Sequence, residues 1–183
     1  MSIQGALVCH NENLYKEYIH THRLNVQKAW DNMKNNSECL NYIQNSFNYA
    51  SIDAIIECID NCIKNHDLSK FSKEEFDAYR KNFYPISPEE KEENLVAFDK
   101  AWVHHYTNNM HHWNWWAETN NKNSMPLIYV IEMLCDWMSF SLKNPESTAY
   151  KWWMDNQDKM VMSDGTKKLV NKYIEYFKEP LKS

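Results

Sequence analysis

Four stretches of helical periodicity each carry a histidine or an aspartate on an otherwise apolar stripe: His22, then His66 with Asp67, then His105, then Asp136. Between the last two, six and seven residues beyond His105, stands the pair His111-His112. Burying a lone carboxylate or an unpaired imidazole is costly, so such groups persist in a core when they pair or bind metal. A metal ion satisfies all of them at once. Taken singly, each has a plainer reading. His22 reads as a hydrogen-bonded core residue, and Asp136 as half of a buried salt bridge, with Glu132 one turn earlier also favouring a nearby cation. The same anomaly on several helices tips the reading towards metal. His10, His20 and His104 fall off the stripes and read as surface residues.

The elements that must position these groups follow from the same periodicity. A first helix from about Asn13 to Asn35 places Tyr15, Ile19, His22, Val26, Ala29 and Met33 on one face. A second, about Ser51 to Asn65, carries Ile52, Ile55, Ile59 and Ile63 (or Cys62) on a stripe that ends in His66. Ser72 with Glu75, and Ser87 with Pro88 and Glu90, have the spacing of N-terminal caps, so helices should start near Lys73 and Pro88. The Pro88 helix would present Leu95, Phe98, Trp102, His105 and Asn109 together. A helix from Pro126 to about Lys143 is apolar nearly all round except for Glu132 and Asp136. Two more, around Thr148 to Asp158 and Thr166 to Lys178, complete an all-α bundle of about six to eight helices. The expected organisation is one domain over 1–183, with a core over about 13–143 and C-terminal helices over about 146–178.

Composition agrees with that class and excludes others. With only two glycines in 183 residues the chain lacks turn formers for a β-rich fold. A net charge of −5 and two arginines, Arg23 and Arg80, argue against long nucleic acid as a partner, since a phosphate-binding face needs basic residues. The longest apolar stretch, Met125 to Ile131, is too short to span a membrane, and no basic segment precedes the weak apolar run Ala6 to Cys9. A cytoplasmic protein is expected (host cytoplasm if the source is a phage), with five reduced and mostly buried cysteines. Cys58 and Cys62 share helical spacing but read as packing residues on an isoleucine stripe.

The order His, His-Asp, His, His-His, Asp resembles the HD-domain metal-dependent phosphohydrolases. His66-Asp67-Leu68-Ser69-Lys70 resembles their His-Asp doublet, including the His-Asp-x-x-Lys form of the cyclic-dinucleotide phosphodiesterase branch. Several segments more closely resemble a small, functionally uncharacterised family common in phages and bacteria: His22-x-x-Asn25-Val26, the doublet with Glu75-Phe76 and Tyr79, His105-Tyr106-x-x-Asn109-x-His111-His112, and Met125-Pro126 with Glu132-Met133-x-Cys135-Asp136-Trp137. Many relatives carry Pro-Glu after the double histidine. This chain has Trp113-Asn114 there, which removes a carboxylate from any acid/base role at position 114.

The resemblance implies an HD-like bundle around one or two divalent ions. His22, His66, Asp67 and Asp136 would hold the first, and Asp67 would bridge to a second held by His105 and by His111, His112 or both. Imidazole and carboxylate donors without thiolate suit Mn, Fe, Co, Ni or Zn. Two such ions can generate hydroxide at neutral pH and clamp an in-line displacement at phosphorus. Asp67 and Lys70 would be the catalytic residues, Lys70 steadying the phosphate charge, unless it is a solvated lysine at a helix end. Asn109, Trp113 and Trp115 are candidates for substrate binding. The Trp113, Trp115, Trp116 segment, with Trp102 and Tyr106, would stack a nucleobase or form a cation–π lid, or else be core. The first reading is a phosphohydrolase acting on a nucleotide or other small phosphoester. The same ligand set would also serve a di-iron oxygenase, or a structural metal in a non-enzymatic interaction protein, although six or seven ligands exceed one closed tetrahedral site.

Overall fold

The computed structural model describes residues 2–47, 50–119 and 124–181, and all regular structure among them is helical. In chain order the α-helices are α1 (Ile3–Lys34), α2 (Ser37–Ser46), α3 (Ile52–Asn65), α4 (Phe76–Phe83) and α5 (Pro88–Glu93). They are followed by α6 (Leu95–Asn108), α7 (Leu127–Ser139), α8 (Ala149–Asn156) and α9 (Asp164–Tyr173). No helix among the described residues is long and apolar enough to cross a membrane. The chain forms two compact units, one from Met1–Thr21 and Asp67–Asn109, the other from His22–His66 and Met110–Ser183.

In the first unit, Tyr15 and Ile19 of α1 pack with Tyr79 of α4 and Ala101 of α6, and Phe76, Tyr84, Phe98 and Trp102 close around them. The expected start at Ser87 is present: its Oγ accepts from the Glu90 N–H at 3.3 Å, while Glu90 reaches back to the Ile86 N–H at 2.7 Å. Glu90 also grips the buried Arg80 guanidinium at 2.8 and 3.0 Å. The expected single helix from Pro88 is instead two, because Asn94 turns its amide to the Ala78 carbonyl at 2.7 Å and breaks the run. Leu95, anticipated on the buried stripe, is consequently exposed. The helix anticipated near Lys73 starts only at Phe76, because Glu75 is drawn into the site described below.

In the second unit, Val26, Ala29, Trp30 and Met33 of α1, Ile55, Ile59 and Ile63 of α3, and Val130, Ile131, Leu134 and Met138 of α7 make the main core. Each valine, leucine, isoleucine or methionine among them contributes roughly 1.5–3 kcal/mol when fully buried. The α1 stripe is buried as its spacing requires, but the helix starts ten residues earlier than Asn13, at Ile3. Ser51 caps α3, its Oγ accepting from the Ala54 N–H at 3.2 Å. Helix α2 was not anticipated, since only Cys39 and Ile43 of its residues are buried. All five cysteines are free thiols, but only Cys39 and Cys135 are buried; Cys9 and Cys58 are exposed and Cys62 lies between.

Candidate metal centre

Three elements of the second unit bring the principal donors together. His22 lies on the buried face of α1, one turn before Val26. His66 is the C-cap of α3, its N–H donating to the Ile63 carbonyl at 3.2 Å. Arg23 fixes that helix end, donating from Nε to the His66 carbonyl at 2.8 Å and from Nη2 to the Lys64 carbonyl at 2.5 Å. Asp136 comes from α7, four residues after Glu132 and on the same face.

The donor atoms converge. His22 Nε2 lies 3.1 Å from Asp136 Oδ1 and 3.3 Å from His66 Nε2, and His66 Nε2 lies 3.7 Å from the same carboxylate oxygen. Donors that share one ion at about 2.1 Å sit about 3.0–3.4 Å apart, so this triangle closes on an ion with a shift of a few tenths of an ångström. Each ring is held from its far side. His66 Nδ1 faces Glu132 Oε1 at 2.9 Å, and because a carboxylate only accepts, Nδ1 carries a proton, which makes Nε2 the nitrogen available to an ion. His22 Nδ1 faces the Ser139 hydroxyl at 3.2 Å, which can accept the ring proton in the same way. Burial works to raise the Asp136 carboxyl, but hydrogen bonds and positive charge from His22 and His66 outweigh it and hold it well below the usual carboxylate range. A divalent ion would take the place of those ring protons and satisfy the same three atoms. The residues present therefore fit a divalent ion, and the Asp136 side chain is 16% exposed.

A second group shares His66. His111 Nδ1 lies 3.1 Å from Glu132 Oε1, the oxygen that also receives His66, and the two imidazoles touch with centroids 4.3 Å apart and 40° between planes. Burial would raise the Glu132 carboxyl, yet His111 and His66 hold it below its ordinary value. His112, partly buried, packs its ring on His111 at 4.2 Å. Glu132 is the residue that sequence reasoning undervalued. Its position four before Asp136 was the available signal, but nothing in the sequence named His66 and His111 as its partners. We expect Glu132→Gln to keep the fold and weaken divalent-ion affinity roughly 10- to 100-fold, the usual effect of losing an outer carboxylate behind a ligating histidine. Competition against a chelating dye measures this, and an unchanged affinity would remove Glu132 from the centre.

The first unit holds the other predicted residues. Asp67 adopts the left-handed conformation at φ 55°, the one non-glycine residue among those described with positive φ, which a short polar side chain tolerates. Its Oδ1 lies 3.2 Å from His105 Nε2, and its Oδ2 accepts from Lys70 Nζ at 2.5 Å. Lys70 is thus not a solvated lysine at a helix end; it is 13% exposed and paired. His105 Nδ1 meets Glu75 Oε2 at 2.8 Å, and Ser69 donates to the same oxygen at 3.0 Å. With a carboxylate at each ring nitrogen, the His105 imidazole is raised despite its burial, and Glu75 is lowered despite its own. Asn109, buried, donates to Ser69 Oγ and to the His105 carbonyl, both at 2.7 Å, so its amide positions those residues. His104, expected on the surface, is only 35% exposed because its Nδ1 pairs with Glu75 Oε1 at 2.7 Å. His10 and His20 are exposed as expected.

In the second unit the tryptophan segment packs inward. Trp116 donates from its indole to the Met110 carbonyl at 2.8 Å and is buried, while Trp113 and Trp115 are partly buried against the main core.

No curated protein and no solved structure matches the chain. Residues 11–176 match a family described as "Family of unknown function (DUF5662)", a span that takes in both histidine-carboxylate groups and nearly the whole sequence. The chain belongs to the DUF5662 family.

Proposed function

We propose that this chain is a metal-dependent hydrolase of small phosphoesters, with His22, His66 and Asp136 as its ion-binding group. The observation that carries the reading is the convergence of two imidazole Nε2 atoms and one carboxylate oxygen within 3.7 Å. A divalent ion bound there would polarise a phosphoryl oxygen and lower the pKa of a bound water towards neutrality. The chain's own residues do the rest. Glu132 holds the proton of His66 on Nδ1 and Ser139 orients His22, so that both rings keep their lone pairs on one point. Three protein donors, one fewer than a closed tetrahedral structural site uses, would leave a coordination position for water or substrate.

The substrate class is small. Both arginines are already engaged, Arg23 on backbone carbonyls and Arg80 on Glu90 and Asp77, and the net charge is −5, so a phosphate-tracking surface for long nucleic acid has little to draw on. The experiment is phosphate release from a panel of small phosphoesters by protein loaded in turn with Mn, Fe, Co, Ni or Zn, with Asp136→Asn in parallel. Release by the wild type that is lost in Asp136→Asn is the expected result. Stoichiometric metal without release from any ester would contradict hydrolysis, and oxygen uptake by the iron form would replace it with oxygenase chemistry.

A further inference from the structure

An aromatic cleft adjoins the ion-binding group, and we infer that it is the subsite for a planar aromatic part of the substrate, a nucleobase. The inference rests on the reading of the second unit as a phosphoester-binding metal centre. The cleft has a volume of about 350 Å³ and is lined by Trp137, Phe140, Ser147 and Trp152. Its placement follows from the chain. Trp137 is the residue after Asp136, and Phe140 lies one helical turn beyond it. The Phe140 ring packs on the His22 ring with centroids 5.5 Å apart, so one wall of the cleft is also the flank of a metal-ligating imidazole.

The rings are organised from beneath. Trp153 is buried, its indole donating to Asn171 Oδ1 at 2.8 Å, and Trp137 lies nearly parallel to it, 15° between planes at 6.1 Å. Trp152 meets Trp137 at 4.5 Å, with 48° between planes. Above this fixed floor Phe140 and Trp152 keep 43% and 40% of their surface in water. Exposed aromatic faces in a concave site are unfavourable unless a ligand covers them, and flat rings are best covered by another flat ring. The volume is at the small end of ligand pockets, enough for one base and too small for a polymer. A ligand that must present a phosphate to the ion group and a planar ring to the adjoining cleft has the chemistry of a mononucleotide. Ser147 is the polar residue of the lining and the one placed to read a base edge. Trp113 and Trp115, which the sequence offered for stacking, are partly buried against the core and do not line this cleft.

The test is calorimetric titration of the metal-loaded full-length chain with AMP, CMP and ribose 5-phosphate, and of the metal-free chain with adenosine and cytidine. Trp152→Ala is the variant, since Trp152 is exposed enough for its loss to leave the fold intact. The tighter of the two nucleotides is expected to bind at least about tenfold better than ribose 5-phosphate, and Trp152→Ala to remove about tenfold of that, in the range for loss of one stacked base. Metal content and ribose 5-phosphate binding stay as in the wild type. Equal binding of both nucleotides and ribose 5-phosphate, or nucleotide affinity untouched by Trp152→Ala, would overturn the inference while leaving the metal reading in place. Failure of the chain to load any metal would defeat the metal reading alone. In that case nucleoside binding to the metal-free chain still decides the cleft: binding weakened by Trp152→Ala supports it, and no binding overturns it.

Discussion

His66→Ala is expected to yield a protein that binds no transition metal above background. His66 is 1% exposed and serves two carboxylates at once, with Nε2 in the group of His22 and Asp136 and Nδ1 on Glu132. Removing it leaves two donors where three converged, too few to extract a divalent ion from water. It also leaves Glu132, buried, with His111 as its remaining partner in that unit. Leaving a buried carboxylate short of one donor costs about 1–3 kcal/mol, so the variant should melt below the wild type even without metal. His66→Gln retains most of the volume and can still donate to Glu132, and it should recover much of the stability while binding no metal. That split separates the two roles of the ring. Metal retained by His66→Gln at wild-type affinity would exclude His66 as a ligand.

Glu75→Ala carries the second large effect, in the first unit. The spacing of Glu75 from Ser72 is that of a helix cap, and loss of a cap costs about 0.5–2 kcal/mol. Its environment is different. Glu75 is fully buried and accepts from His105, His104 and Ser69, at 2.8, 2.7 and 3.0 Å. Alanine there strands an imidazole that two carboxylates had favoured as the cation, and removes the hold on the ring that pairs with Asp67. The expected loss is about 3–5 kcal/mol, or roughly 6–20 °C in melting temperature for a chain of this size. A drop of only a few degrees would show that Glu75 acts as the cap its spacing suggests.

The contrast between those two glutamates shows what was legible. Helical stripes are written in the sequence because burial repeats with the period of the helix, and the positions they select, His22, His66, His105 and Asp136, do lie buried or half-buried on the expected faces. Glu132 was half legible: its shared face with Asp136 follows from spacing, but its histidine partners come from α3 and from the segment after α6. Glu75 was misleading, because a buried ion-pair residue and a capping residue have the same spacing from a serine. The turn at Asp67 was silent for a related reason, since no glycine marks its left-handed backbone. Helix α2 and the break at Asn94 are set by packing and by one side-chain hydrogen bond, which local pattern does not encode. The tryptophans divide in the same way. Clustering in sequence drew attention to Trp113 and Trp115, whereas the cleft is built by Trp137 and Trp152, residues brought together only by the fold.

Anomalous diffraction from crystals soaked in Mn or Zn decides whether one divalent ion binds among His22, His66 and Asp136. The expected result is a peak within bonding distance of the Nε2 atoms of His22 and His66 and of Asp136 Oδ1, with Glu132 still on His66 Nδ1. A fully soaked crystal with no peak at that point, or with ions bound only elsewhere, would contradict it.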